Sequence, residues 1–481
     1  MPHLGFVYLL LLGSLLHYSL IMRIVIDIFR DHIIEQERLV EVTAYRQLCI
    51  GFSLSATWMK GHGWRRSDSG VEKMGSIDYY IEVAKMAEKA KLDFLFRADY
   101  LYISPQMLGD SANFGSHDPT MMLAAIARET ERIGLVTTVS TTFNPPYIVA
   151  RQLQSLHWLS NGRAGWNIVT SIEGADNFGE SPMPSPQERY ARAREFTDVV
   201  RKLWASFPHE AIVIDRESGT FSDPDQVPPI NHSGEFFSVK GPLTLPAHPS
   251  GSIPLFQAGA SDTGRHFAAS IADAIFAAMP DLESGVELRH DLRRRAEAHG
   301  RDPDAIKVLP GLYFFLGETR EEAHALYQAA HAHLSVERRQ ASLQSVLGLD
   351  VSGFAPDHRV TADMLPDPNQ PVRSRTHAEL LRRYITAYQP TVAEVLARPD
   401  VTASAHWVAV GTVEDVLNDI MERFEAGAID GFIALPGGSE QSLELFFEKL
   451  MPQLVERGLF RREYTGSTLK DHLGMQHLSL E

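Results

Sequence analysis

The chain predicts an α/β fold: a (β/α)8 barrel with two long insertions and an extra apolar N-terminal segment. Three observations lead there. From Gln47 onward, short apolar runs alternate with longer segments of helical period. The runs are rich in Val, Ile, Leu and Phe, as parallel strands covered by helices require. Eight such units fit within about 410 residues, the number that closes a barrel rather than an open sheet.

The units follow in order. Cys49-Ile50-Gly51-Phe52 reads as a strand, and Ile77, Tyr80, Ile81, Ala84, Ala87 and Ala90 then recur at helical spacing. Leu92 to Phe96 is the second strand and ends in Arg97-Ala98-Asp99. Asp118-Pro119 starts a helix, an acidic N-cap before a proline in the first turn, and Met122 to Arg132 continues it. Ile133 to Val139 is the third strand, with a helix from Pro146 to Leu159. The turn Asn161-Gly162 feeds the fourth, Ala164 to Val169, with its helix from Gln187 to Trp204.

Phe207 to Ser252, rich in Pro, Gly, Asp and Ser, is too long for an ordinary connection and reads as a functional loop or lid. The alternation resumes with strand Ile253 to Gln257 and a helix opening at Ser261-Asp262. Ala274 to Ala278 is the sixth strand, followed by a helix from Leu282 to His299. Val308 to Leu316 is the seventh, and Thr319-x-x-Glu322 after it is a capping box. A second irregular insertion runs from about Ser335 to Trp407. Then come a helix from Val413 to Ala426, the eighth strand Phe432 to Leu435, and a helix from Ser442 to Arg457.

Composition narrows the function. The chain has 481 residues, is 44% hydrophobic and carries a net charge of −16, so a folded core is expected and a nucleic-acid surface is not. The densest basic run, Arg293-Arg294-Arg295, reads as a solvated helix face. The lone cysteine, Cys49, excludes a disulfide framework and falls on a strand-like run where a small buried residue is expected. The domain reading is an apolar extension over 1–45, a barrel over 46–465 and a tail over 466–481. Leu4 to Met22 is long enough to cross a bilayer, with Arg23 and Arg30 behind it. An inner-membrane anchor, a buried helix and translation from too early a start compete there. The last is expected, with a cytoplasmic protein.

Barrel chemistry sits at strand carboxyl ends. Those ends carry Asp99, then Ser140-Thr141-Thr142, then Asn167 with Thr170-Ser171, then Ser261-Asp262. Such residues also cap helices, but four on one rim favour a site. Gln257-Ala258-Gly259-Ala260-Ser261-Asp262-Thr263-Gly264 is the best anion site: small residues admit a ligand to the backbone, and free N–H groups open the helix there. No Walker loop, GxGxxG fingerprint or Gly-x-Ser-x-Gly elbow occurs. His331-x-His333 imitates a barrel metal motif but lies in a helical run, where i and i+2 point apart, so no metal is expected. His62, His117 and His232 fall in loops near the expected rim.

Several strings resemble a known family. They are Leu92 to Asp99, Thr138 to Tyr147, Ser160 to Ser171, Glu188-Arg189-Tyr190, Ile230 to Phe237, Gln257-Ala258-Gly259 and Gly427 to Phe432, in order over nearly all of 47–465. The chain resembles the bacterial-luciferase-like flavin monooxygenases. The branch is that of nitrilotriacetate monooxygenase component A, EDTA monooxygenase, dibenzothiophene-sulfone monooxygenase and long-chain alkane monooxygenase. The resemblance implies reduced FMN as a diffusible co-substrate, supplied by a separate NAD(P)H:flavin reductase, with O2 as the second co-substrate. One oxygen atom would pass to a small organic substrate such as an aminopolycarboxylate, organosulfur compound or alkane. It places Asp99 and Ser140 around the isoalloxazine, Ser171 at its border, and Tyr190 with Ser261 at the phosphate. It also implies a homodimer or homotetramer, and insertions acting as lids over a dry pocket. The chain departs from the pattern at Pro186, where the family commonly has a flavin-contacting His. The alternatives are an F420-dependent hydride-transfer enzyme of the same fold and a non-catalytic membrane-anchored binding protein.

Overall fold

The computed structural model describes residues 46–56, 61–103, 112, 117–259, 261–368, 370, 372, 374–402 and 405–475. The apolar stretch Leu4 to Met22 lies outside them. Among the described residues no helix is long and apolar enough to cross a membrane.

Among the described residues nine parallel strands form the main sheet. They are β1 Cys49–Ser53, β2 Phe94–Arg97, β3 Gly134–Ser140, β4 Ala164–Val169, β5 Leu255–Ala258, β6 Ala274–Ala277, β7 Lys307–Leu316, β8 Trp407–Gly411 and β9 Gly431–Pro436. All but β8 close the barrel in the order β1-β2-β3-β4-β5-β6-β7-β9, with β9 returning to β1 through pairs Cys49↔Gly431 to Phe52↔Ala434. These eight are the expected strands. The structure adds β8, at the carboxyl edge of the second insertion. Its cause is the length of β7, ten residues. Lys307 to Pro310 pair with β6, and once β6 ends, Leu312 to Leu316 pair with Trp407 to Gly411 instead.

Period-two alternation sends Cys49, Phe94, Phe96, Val136, Phe256, Leu309, Tyr313, Phe315 and Ile433 into the barrel interior. The amino-terminal end is plugged by the short helix Leu469–His472; its Leu469 and the following Leu473 are buried in that cluster. Gly134 and Gly165 make room for the plug: a Cβ on either would stand 2.5 or 2.7 Å from Leu469. Arg163 staples the same end. Its buried guanidinium donates to the carbonyls of Ser160, Ile133, Ala127 and Thr130 and to the Thr130 hydroxyl, at 2.7–2.9 Å.

The first insertion holds two short hairpins, Ile212–Asp215 with Thr220–Ser222 and His232–Ser233 with Ser238–Val239. The second is not irregular. Helices Val336–Leu347, Arg375–Tyr388, Val392–Ala397 and Pro399–Thr402 pack around their own core, including Leu343, Leu347, Leu381, Ile385 and Val395. Arg383 to Glu287 (2.8 Å) and Arg398 to Asp281 (2.8 Å) tie this core to the barrel. The capping-box helix, Arg320–His331, covers the barrel interior: Tyr327 and His331 pack on Phe315, 5.2 and 5.7 Å between ring centres. The basic run is paired rather than merely solvated. Arg293 meets Asp304, Arg294 meets Asp291, and Arg295 meets Asp262 and Asp291.

Candidate active site

Strands β3 and β4 run side by side with Thr138 opposite Asn167 and Ser140 opposite Val169. Thr138, Ser140 and Asn167 alternate with outward residues such as Val139 and Ile168, and so face inward near the carboxyl rim. Asn167 donates from Nδ2 to Thr138 Oγ1 at 2.9 Å. Its Oδ1 is buried and has no partner among the described residues. Above it, Ser140 Oγ and Ser171 Oγ are 2.7 Å apart. Thr142 Oγ1 accepts from the Ser171 backbone N–H at 3.0 Å, and the Thr142 N–H donates to Ser140 Oγ at 3.2 Å. The loop after β3 is thereby clipped to the loop after β4, fixing two hydroxyls beside an unsatisfied amide oxygen.

Tyr190 and Ser261 form a second group. Helix Pro186–Ala205 is capped by Ser185 and starts at proline, which suits a position whose N–H has no helical partner. It presents Tyr190 to the start of the ten-residue helix Asp262–Ile271. Ser261 caps that helix, accepting from the Gly264 N–H at 3.3 Å. Burial raises the Tyr190 phenol above its ordinary range, while contacts with Ser261, Thr170 and Gln257 pull it back. Glycines leave the space: a Cβ on Gly259 or Gly264 would stand 3.0 or 2.9 Å from the Tyr190 hydroxyl. Gln257, buried between strand and helix, leaves its Oε1 unpartnered among the described residues. Thr138 and Gln257 stand in the strings singled out in the sequence, Gln257 at the head of the anion-site string, but neither is marked there as a site residue. Inward alternation could have found Thr138, but Gln257 faces the outside of the strand, where an apolar residue is the usual choice.

Asp99 follows β2, half-buried. Its carboxyl is raised, first by burial and then by the charge of Asp118. Among the described residues no hydrogen bond joins it to Ser140 or Ser171. Across the ring of eight, β7 and β9 supply an aromatic and apolar wall of Tyr313, Phe315, Ile433 and Leu435. The loop histidines are held by protein contacts. His232 Nε2 is 2.9 Å from Glu195 Oε1, the His62 ring lies 5.0 Å from His333, and His117 meets the Tyr80 ring edge-on at 6.4 Å. The helix ends at His331, so His333 lies beyond it. Among the described residues no group of three or more His, Cys, Asp or Glu is placed to hold a metal ion.

This barrel, with its polar quarter at β3–β4 and an open helix start after β5, can be set against known proteins. The model of luciferase-like monooxygenases matches residues 58–430. The chain belongs to the luciferase-like monooxygenase family. Within the family it is 36% identical to N-acetyl-S-(2-succino)cysteine monooxygenase of Bacillus subtilis (strain 168), over 90% of this chain and 97% of that protein. It is 35% identical to nitrilotriacetate monooxygenase component A of Aminobacter aminovorans, with the same shares covered. Among solved structures, a riboflavin lyase with modified FMN and riboflavin superposes with a TM-score of 0.76 at 30% identity, covering 90% of this chain and 96% of that one. The chain is therefore a flavin-dependent monooxygenase of this family. Like its luciferase-like relatives it works with reduced flavin and O2.

Proposed function

We propose that this chain is the oxygenase component of a two-component system. It takes reduced FMN from a separate NAD(P)H:flavin reductase and transfers one oxygen atom of O2 to a small organic substrate. The observation that carries the reading is the run of polar groups from the barrel interior to a helix start. Asn167 Oδ1 is buried and unsatisfied, Ser140 and Ser171 stand above it, and Tyr190 meets Ser261 at the start of Asp262–Ile271.

These residues suit FMN. A buried unpaired amide oxygen is costly alone and is relieved by a ligand N–H. Asn167, Ser140 and Ser171 would line the isoalloxazine, with Asp99 at its edge. Tyr190 and Ser261 would hold the phosphate, where helix N–H groups favour negative charge. When bound, reduced FMN supplies the electrons that activate O2. The chain's own residues orient it and keep water out. Phe143 and Phe178, stacked at 4.5 Å, shield the β3–β4 loops, and helix Arg320–His331 covers the aromatic wall.

The test is a reductase-coupled oxidation screen with NADH or NADPH, followed by mass. Amines, sulfones and alkanes are offered together with nitrilotriacetate and N-acetyl-S-(2-succino)cysteine. A product heavier by one oxygen, formed only with both reductase and O2, supports the reading. Anaerobic turnover with F420 and no reductase overturns it.

A further inference from the structure

The hairpin His232–Ser233 with Ser238–Val239 stands against the loop after β3 and leaves a cleft of about 680 Å³ between them, a volume in the range of small-molecule sites. None of Asp99, Ser140, Asn167, Ser171, Tyr190 and Ser261 lines it. Its walls are preformed. Glu195 clamps the hairpin: its Oε1 accepts from the Phe237 N–H and its Oε2 from the Phe236 N–H, both at 3.0 Å, and His232 Nε2 lies 2.9 Å from Oε1. Glycine at 234 permits that approach, since a Cβ there would stand 2.1 Å from Glu195 Oε1. Phe237 packs edge-on against Phe196, 5.5 Å between ring centres. On the other side Pro145 and Pro146 fix the chain where its helix begins, and the Tyr147 hydroxyl donates to the Pro242 carbonyl at 3.5 Å. A cleft built this way binds without first having to order its walls.

The lining combines rings with positive charge. Phe143, Pro145, Tyr147, Phe236 and Phe237 supply the rings, and the charged groups are Arg192, Lys240 and Glu180. Two cations face one carboxylate, on a chain whose net charge is −16. Glu195 stands behind the wall with both oxygens taken. Arg192 lies over the Phe237 ring at 5.3 Å, and its Nη2 reaches Glu180 Oε1 at 3.4 Å, a long contact for an ion pair. Its Nε is buried and has no partner among the described residues. Lys240 is exposed, and no carboxylate pairs with it among them. We propose that this cleft is a second ligand site, for a flat aromatic molecule carrying one carboxylate. The rings take its body, and its carboxylate meets Arg192, whose planar fork suits it. One positive charge in excess matches a monoanion rather than the dianion of a phosphate ester. The ligand also touches the candidate site's own loop: Asn144 lines the cleft, while its Nδ2 donates to the Ser140 carbonyl at 2.8 Å.

The experiment is a calorimetric titration of the full chain at neutral pH with 2-naphthoate and, separately, with uncharged 2-naphthol. It is run on the wild type, Arg192→Gln, Glu180→Gln, Ser238→Trp and Lys202→Gln, and each variant's melting temperature is recorded. The wild type binds 2-naphthoate more tightly than 2-naphthol. Arg192→Gln weakens 2-naphthoate at least about tenfold, the scale of one charge-assisted hydrogen bond, and leaves 2-naphthol unchanged. Glu180→Gln tightens 2-naphthoate about two- to fivefold, the scale of a part-exposed ion pair, by releasing Arg192 from a competing carboxylate. Damage to the fold cannot produce that gain, so it decides the matter should Arg192→Gln melt early. Ser238→Trp fills the cleft and abolishes binding of both. Lys202, on the same helix but outside the cleft, is the control, and Lys202→Gln binds as the wild type does. A wild type that does not bind 2-naphthoate, or binds it no better than 2-naphthol, overturns the proposal. Binding that survives Ser238→Trp puts the acid elsewhere, the barrel mouth included, and also overturns it. So does a loss in Lys202→Gln equal to that in Arg192→Gln, which assigns the effect to overall charge. None of these results bears on the proposed flavin site, which the reductase-coupled screen tests.

Discussion

Gly264→Ala sets a local gain against a specific clash. Gly264 lies in the first turn of helix Asp262–Ile271, where alanine favours helix by about 1 kcal/mol over glycine. The added Cβ would stand 2.9 Å from the Tyr190 hydroxyl and 3.1 Å from the Gly259 carbonyl oxygen. Both are inside ordinary contact, and overpacking of this kind costs about 1–3 kcal/mol. The two effects nearly cancel in the free protein, so its melting temperature should fall by only a few degrees. The flavin site has no such compensation. If Tyr190 holds the phosphate as proposed, moving its hydroxyl removes a hydrogen bond to a charged group, about 1.5–3 kcal/mol, or roughly ten- to a hundredfold in affinity for reduced FMN. Anaerobic titration beside a thermal melt separates the two. Tyr190→Phe provides the cross-check: without the hydroxyl there is less to displace, so Gly264→Ala should cost less in that background. Unchanged FMN affinity in Gly264→Ala, or full additivity with Tyr190→Phe, would refute the placement of the phosphate at Tyr190.

Arg163→Met should destabilise the fold by about 3–5 kcal/mol, since four carbonyls lose their donor at about 1 kcal/mol or more each. Denaturant unfolding measures this, and the folded fraction should bind flavin normally. Ser171→Ala removes one of the two hydroxyls 2.7 Å apart, and Asp99→Ala removes the carboxyl at the proposed ring edge. Each should lower flavin-dependent turnover without a large change in melting temperature, and unchanged rates remove that residue from the site. His157 is buried, and burial, then the charge of His248, lowers it to about 3. A histidine whose folded value is depressed leaves stability untouched above its unfolded value near 6.5. It costs stability as pH falls from there towards about 3, by about 2 kcal/mol at pH 5. His157→Phe should flatten the acid limb of the stability profile, and an unchanged limb would show that His157 is not its source.

The eight barrel strands were legible because each is a short apolar run between helical periods, and the burial that makes them strands also makes them apolar. β8 was not, because Trp407 to Gly411 is a strand only through its partner: Leu312 to Leu316 must first outrun β6. The roof helix was legible as a helix from Thr319-x-x-Glu322, but not as a roof. Its side chains Leu326, Tyr327 and Ala330 are apolar whether they meet a flank or a barrel mouth. In the candidate site, Ser140 lies with Ser171 and Tyr190 with Ser261, while Asp99 is joined to neither hydroxyl of the first pair among the described residues. The contact of Gln257 with Tyr190 was not legible, because it depends on Tyr190 reaching over from another helix.

The segment from Asn161 to Ser171 shows why a family string is not a list of functional residues. Its strand rises about 3.3 Å per residue and so traverses the barrel from base to rim. Arg163 lies at the base and holds the backbone turns there. Gly165 is small because Leu469 fills the space beside it. Trp166 points outward, 6.0 Å from Phe196 between ring centres. With Asn167 the inward face turns polar, and at Ser171 it reaches the Ser140 hydroxyl. Along this one segment the constraint changes from stapling, to close packing, to the ligand contact proposed above. Substitutions here should therefore divide by height: those at Arg163 and Gly165 show in unfolding, and those at Asn167 and Ser171 in flavin affinity and turnover. A barrel can keep the two apart because its base is closed by the chain's own Leu469 and Leu473, which leaves the rim free to carry unsatisfied groups.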